Sequence, residues 1–177
     1  KVNLIDNGLL KGAVGSRPFD GEGSPTGETV LIDRGVLQGF LYNIKTANKE
    51  NRKSTGNAVR GGIESLPSVG INNLFLEASA PEFSHEREQL ISMIKRGIIV
   101  TEVMGIHTAN PISGDFSIGV TGLWVEDGRI MHPVKEAAIS GNLLELFKKI
   151  VAVGKEIRFY GKIGAPEILF EGIDISG

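Results

Sequence analysis

The stretch that most constrains the fold runs from residue 98 to residue 134, IIVTEVMGIHTANPISGDFSIGVTGLWVEDGRIMHPV. It opens on Ile98, Ile99, Val100 and Thr101, a β-branched run suited to a buried strand. A turn-rich bend follows at 110–115, Asn-Pro-Ile-Ser-Gly-Asp, and then a second apolar run at 116–125. Asp127-Gly128 is a strong hairpin signal, because a two-residue type I′ turn needs positive φ at both central residues. Residues 129–134 are the returning strand. The spacing therefore predicts strand, shaped loop, strand, hairpin, strand. Asn110, Ser113, Asp115 and Ser117 converge on the loop. Loops held on rigid sheets often carry function, although Asn-Pro and Gly-Asp pairs also simply turn a chain.

Twenty-four glycines in 177 residues, about twice the usual share, favour many tight turns and a sheet-rich fold. The length allows one domain with a real core or two very small ones. A formal net charge of −2 argues against direct nucleic-acid binding, which usually needs a basic stripe. Cysteine is absent, which excludes disulfides, a cysteine nucleophile and cysteine-ligated metal within this sequence. No apolar run approaches ~18 residues, so no spanning helix is expected.

Residues 4–12, LIDNGLLKG, match residues 31–39, LIDRGVLQG, at six of nine positions, and 124–130, WVEDGRI, echo both. Each reads as an independent hairpin with an acidic-glycine turn. Residues 15–28 form a long Gly/Pro loop, and 45–70 form a polar, glycine-rich stretch without lasting periodicity. A helix is expected at 84–96, N-capped by Ser84, with an apolar stripe of Leu90, Ile91 and Ile94 and a stop at Gly97. A second is expected at 143–151, with Asn142 and Glu145 resembling a capping box. Strands are expected at 72–78, 156–160 and 167–175. Hairpins mixed with two main helices give an α+β class with a mostly antiparallel sheet.

The catalytic candidates are sparse. His85, His107 and His132 lack the i, i+4 spacing that places two metal ligands on one helix face. Lys53-Ser54-Thr55-Gly56 lacks the preceding glycines of a phosphate loop. No Gly-x-Ser-x-Gly elbow occurs. Asp20 and Glu22 lack the alternating acids of a calcium loop and read as solvated turn residues.

Several long words, in order, resemble the TldD/PmbA family, known both as modulators of DNA gyrase and as relatives of zinc peptidases. They are FDGEGSPT at 19–26, VLIDRGVLQG at 30–39, RKSTGNA at 52–58, GIIVTEVMG at 97–105, NPISGDFSIGVTG at 110–122, WVEDGRIMHPV at 124–134, ISGN at 139–142 and IVAVG at 150–154. The resemblance covers essentially all of 1–177 and implies the C-terminal domain of such a protein, whose N-terminal half would lie outside this chain. In the TldD branch a His-Glu-x-x-x-His motif lies upstream and a later cysteine adds a zinc ligand. The equivalent segment here, Tyr160-Gly161-Lys162-Ile163-Gly164, has no cysteine. The resemblance therefore implies the PmbA (TldE) branch: a cytoplasmic, bacterial subunit with no catalytic residue and no metal of its own. Zinc would reside in a TldD-like catalytic partner. Asn110, Ser113, Asp115 and Ser117 would line a peptide chamber or subunit interface. The implied partners are that TldD-like subunit or a second copy, a peptide substrate and, following the older name, DNA gyrase; direct nucleic-acid binding and membrane association are not implied. Two other readings remain open: a regulatory protein binding gyrase, and an active zinc metallopeptidase whose ligands lie in the N-terminal half.

Overall fold

The computed structural model describes all residues from Lys1 to Gly177. In chain order its elements are β1 (Val2–Asn7), β2 (Glu28–Asp33), β3 (Val36–Leu37), α1 (Ile44–Lys49), β4 (Ala58–Val59), β5 (Ser68–Val69) and β6 (Leu74–Ala78). Then come β7 (Ser84–His85), α2 (Arg87–Ser92), β8 (Arg96–Met104), β9 (Asp115–Glu126), β10 (Arg129–Asn142), α3 (Leu143–Lys148) and β11 (Ile150–Gly154). The chain closes with β12 (Arg158–Tyr160), β13 (Ile163–Ala165), β14 (Ile168–Phe170) and β15 (Ile175–Ser176). The class is α+β with mainly antiparallel pairing. In place of two main helices there are three α-helices of six residues each. No helix is long and apolar enough to cross a membrane.

The chain divides into two compact units. The first comprises Lys1–Pro81 and Glu156–Pro166. Its six-stranded sheet runs β12-β13-β6-β1-β2-β3. The β2–β3 turn is the expected acidic-glycine hairpin, with Arg34 and Gly35 at φ 47° and 81°. The similar words at 4–12 do something else. Asp6 lies inside β1, opposite Thr29 on one side and Leu74 on the other, and is completely buried. The hairpin expected there is absent. Gly8 approaches Thr26 so closely that a Cβ would fall 2.5 Å from the threonine Cβ.

What holds this unit together is a buried polar network. The Asp6 carboxylate accepts from Asn57 Nδ2 at 2.6 Å, from the Asn72 backbone N–H at 2.8 Å and from Asn72 Nδ2 at 3.2 Å. Arg17 donates to Asn72 Oδ1 from Nε and Nη2. Asn73 ties the Asn7 carbonyl to Ser16 Oγ and accepts from the Gly15 N–H. Every buried side-chain polar atom has a partner, as a low-dielectric interior requires. The polar stretch 45–70 also contains an unexpected helix, α1. Asn43 and Thr46 form a reciprocal capping box, and Ala47 is buried beneath it.

The second unit comprises Glu82–Lys155 and Glu167–Gly177. Its four-stranded sheet runs β15-β10-β9-β8, and a three-stranded sheet runs β14-β11-β7. Asp127 and Gly128, at φ 46° and 74°, make the expected tight turn between Glu126 and Arg129. Their amides donate to Lys95 O and Ile94 O, fastening the hairpin tip to the chain just after α2. The helix expected at 84–96 shrinks to Arg87–Ser92, because Ser84 and His85 pair in parallel with Val153 and Gly154 while Arg96 already faces Glu126 in β8. Glu86, not Ser84, precedes the helix, and its N–H donates to Gln89 Oε1. The second expected helix ends at Lys148, and Ile150 starts a strand. Its expected N-cap is present, since Asn142 Oδ1 accepts from the Leu144 N–H; Glu145 pairs with Lys148 instead of closing a box.

Candidate functional site

Both neighbours of β9 bulge at the same row. Between Val100 and Glu102 the β8 register shifts opposite Thr121, and between Val134 and Ala137 the β10 register shifts opposite the same residue. Glu136 sits at φ 61° inside the second bulge. Bulges bend a strand and re-aim its side chains. Gly122 is required here, because a Cβ would fall 2.1 Å from Ile99 O. Beyond this bend the sheet leads into the loop singled out from the sequence.

That loop is held by hydrogen bonds within itself and to Asn142. Asn110 Oδ1 accepts from the Ile112 and Ser113 amides. Asn110 N–H donates to Asp115 O, and Gly114 N–H donates to Asn110 O. Ser113 Oγ donates to Asp115 Oδ2 at 2.7 Å, and Asn142 Nδ2 donates to Asp115 Oδ1 at 2.9 Å and to Ser113 O at 2.8 Å. The fold thus brings Asn110, Ser113 and Asp115 together and adds Asn142, which the sequence reading placed only as a helix cap. Ser117 lies on the exposed side of β9, where its carbonyl accepts from Thr108 Oγ1. The side-chain oxygens of Asn110 and Asp115 thus accept from their own turn and from Asn142, the N-cap of α3.

The Asn142 and Ser113 hydrogen bonds hold the Asp115 carboxyl below its ordinary range. A depressed folded-state value means that the ionised form favours the folded chain. This contribution is fully present above the unfolded value of about 3.9 and is lost as pH falls through the folded value. Wild type is therefore expected to melt higher than Asp115→Asn at pH 7. The gap should close as the pH is taken below the usual carboxylate range, which thermal melts at stepped pH will measure.

β8 is an outer strand of its sheet, and no other strand pairs with its free side. The outward-facing amides and carbonyls of this nine-residue strand make it a ready template for an extended peptide. The same unit holds an apolar cleft of about 600 Å³ lined by Leu90, Ile98, Val120, Ile139, Leu146 and Phe170, with the Arg87–Glu167 ion pair at its edge. Such a cleft accommodates apolar side chains and offers no nucleophile.

The other candidates fall apart in space or are consumed structurally. His85, His107 and His132 belong to β7, a 3-10 turn and β10 respectively. Asp20 is buried, not solvated: Oδ1 accepts from the Glu22 and Ser24 amides and Oδ2 from the Ala58 amide. Glu22 accepts from the Ile44 N–H at the start of α1. Ser54 Oγ bonds Tyr42 O, and Thr55 Oγ1 bonds Asn57 Oδ1, so 53–56 is a structural loop. Residues 160–164 form the β12–β13 turn. No three His, Cys, Asp or Glu side chains are grouped to hold a metal ion.

Known proteins resemble this chain over nearly its whole length. Metalloprotease PmbA of Escherichia coli O157:H7 is 37% identical over 169 residues, covering 96% of this chain and 34% of its own length. A PmbA homologue of Buchnera aphidicola is 35% identical, covering 99% and 36%. Among solved structures, TldE of Thermococcus kodakarensis superposes with a TM-score of 0.87 at 28% identity, covering 99% of this chain and 40% of that one. A Thermotoga maritima protein named a candidate modulator of a DNA gyrase superposes at 0.86 with 39% identity, covering 99% and 39%. The chain thus spans between a third and two fifths of these relatives. The domain family described as PmbA/TldA metallopeptidase C-terminal domain matches residues 1–177, and the chain belongs to it.

Proposed function

We propose that this chain is the substrate-holding, non-catalytic PmbA/TldE-type part of a TldD–TldE-like peptidase complex in the cytoplasm. The observation that carries the reading is the free edge of β8, continuous with the bend at Thr121 and with the preshaped loop at 110–117. An extended peptide would pair with the edge through main-chain hydrogen bonds, which hold many sequences equally well. Asn110, Ser113, Asp115 and Ser117 would border the bound segment, the first three by fixing the loop. Acyl transfer needs a nucleophile, a base and an orienting group within reach of one another. The polar side chains here instead bond to their own turn, so hydrolysis is assigned to a TldD-like partner, which would carry the zinc.

The test is photolabelling. A peptide bearing a photoreactive residue, held in the assembled complex, is expected to mark residues 96–104 or 110–117. Marks confined to the partner subunit would overturn the reading. The gyrase reading rests on the name of the Thermotoga maritima neighbour; it would require the chain to alter supercoiling by purified gyrase in the absence of any peptidase partner.

A further inference from the structure

β8 is one wall of the apolar cleft as well as the free edge of its sheet. The bulge between Val100 and Glu102 sets the phase of its side chains. Thr101 is the extra residue, so Val100 and Val103 stand opposite Gly122 and Val120, two residues apart on β9, and Ile98 stands opposite Trp124. Ile98, Val100 and Val103 therefore share one face of the sheet. All three line the cleft, and Thr101, Glu102 and Met104 do not. Exposure rises toward the edge. Val120, on the inner strand, is 0% exposed, and Val103, beside it on β8, is 44% exposed. The cleft thus opens at the strand whose outer backbone is free.

A peptide that adds to β8 places every second side chain on the face of Ile98, Val100 and Val103, because cross-strand neighbours share a face. Those side chains stand at the mouth of the cleft. Main-chain pairing is indifferent to sequence, but a space of about 600 Å³ walled by Val120, Ile139, Leu146 and Phe170 is not. An apolar side chain entering it leaves water for hydrocarbon. A charged or hydroxyl side chain would give up its hydration without gaining a partner from those walls. Charge sets the direction. At the rim Arg87 is already paired with Glu167. Lys95 and Arg96, at the start of β8, and Glu102, near its end, are exposed and form no ion pair. Arg96 lies over the Trp124 ring, and Glu126 opposite it accepts from Trp124 Nε1. An antiparallel segment brings its carboxyl end to the two cations and its amino end to Glu102.

We propose that the cleft is a selectivity pocket for peptide, taking a large apolar side chain (leucine, methionine or phenylalanine) of an extended segment that runs antiparallel to β8. The inference rests on the reading of β8 as the peptide edge and adds a substrate class to it: unfolded segments that carry an apolar residue, as opposed to any extended chain.

The experiment is fluorescence anisotropy on the complex assembled with a TldD-type subunit stripped of zinc, so that nothing is cleaved. The probes are short serine-glycine peptides with one central leucine, phenylalanine, serine or aspartate. The leucine and phenylalanine peptides are expected to bind roughly ten-fold or more tightly than the serine peptide, the gain that burying such a side chain supplies. Val103→Asp sets a carboxylate at the mouth and is expected to bring all four to the level of the serine peptide. Val103 is already half exposed, so the variant should keep the wild-type circular dichroism, and the wild-type series stands without it. A photoreactive group at the carboxyl end should mark 95–98, and one at the amino end 102–104; the reverse pattern overturns the antiparallel placement. Leucine and serine peptides that bind equally, while still photolabelling 96–104, overturn this inference and leave the edge reading intact. An apolar preference that survives Val103→Asp places the pocket elsewhere and also overturns it. Peptides that neither bind nor label overturn the edge reading and this inference with it.

Discussion

Asp6→Ala is expected to unfold the first unit at temperatures the wild type withstands. The change removes three buried hydrogen bonds: the Asn72 amide loses its acceptor outright, while Asn57 Nδ2 and Asn72 Nδ2 keep only Gly70 O and Gly56 O. One unsatisfied buried amide costs about 1–3 kcal/mol and each of the two other lost bonds roughly 1 kcal/mol or more, so the sum is about 4 kcal/mol. That is a large part of the roughly 5–15 kcal/mol by which a domain is stable. For a unit of this size the melting midpoint should fall by some 15 °C or more. Asp6→Asn keeps one acceptor but sets an NH₂ group against these donors, so an intermediate loss is expected. Calorimetry of the three chains checks this. A midpoint within a few degrees of wild type for Asp6→Ala would mean that water replaces the carboxylate and that the network is not what holds the unit.

The second large effect is expected from Gly122→Val in the other unit. Its Cβ alone would sit 2.1 Å from a backbone oxygen, Ile99 O, and 2.9 Å from Ile98 Cγ1. A backbone oxygen cannot swing aside as a flexible side chain can, so β8 must separate from β9. Overpacking in a well-packed site costs roughly 1–3 kcal/mol, and backbone displacement places this case at the upper end. Hydrogen exchange should show amides of 96–104 losing protection while those of 2–7 keep theirs. Because β8 is the proposed peptide edge, photolabelling at 96–104 should fall with it.

These two residues also mark what could and could not be read from the sequence. Asp127-Gly128 was legible because a two-residue turn is decided by the φ preferences of its own residues. The same local logic failed for Asp6-Asn7-Gly8, although its surrounding word matches that of the Asp33-Arg34-Gly35 turn at six of nine positions. Asp6 is claimed by Asn57 and Asn72, and contacts across 51 and 66 residues leave no local trace. Residues 84–96 carry a helix-like apolar stripe, yet both ends are taken by strand pairing with distant partners, Val153 at one end and Glu126 at the other. Helix α1 escaped notice because its signal is only the pair Asn43 and Thr46 at the edge of a polar stretch. The loop at 110–117 was recognisable as a convergence of polar groups. That those groups would bond to one another and to Asn142 depended on α3 starting beside the loop, which spacing alone does not reveal.

The central claim is that this chain holds peptide for another subunit's chemistry. The most direct measurement is peptide cleavage by the purified chain with zinc added, compared with the chain plus a TldD-type subunit. The account predicts no zinc-dependent cleavage by the chain alone. With the partner present it predicts cleavage that weakens when Asp115→Asn loosens the loop. Zinc-dependent cleavage by the chain alone, abolished by Asp115→Asn, would contradict it.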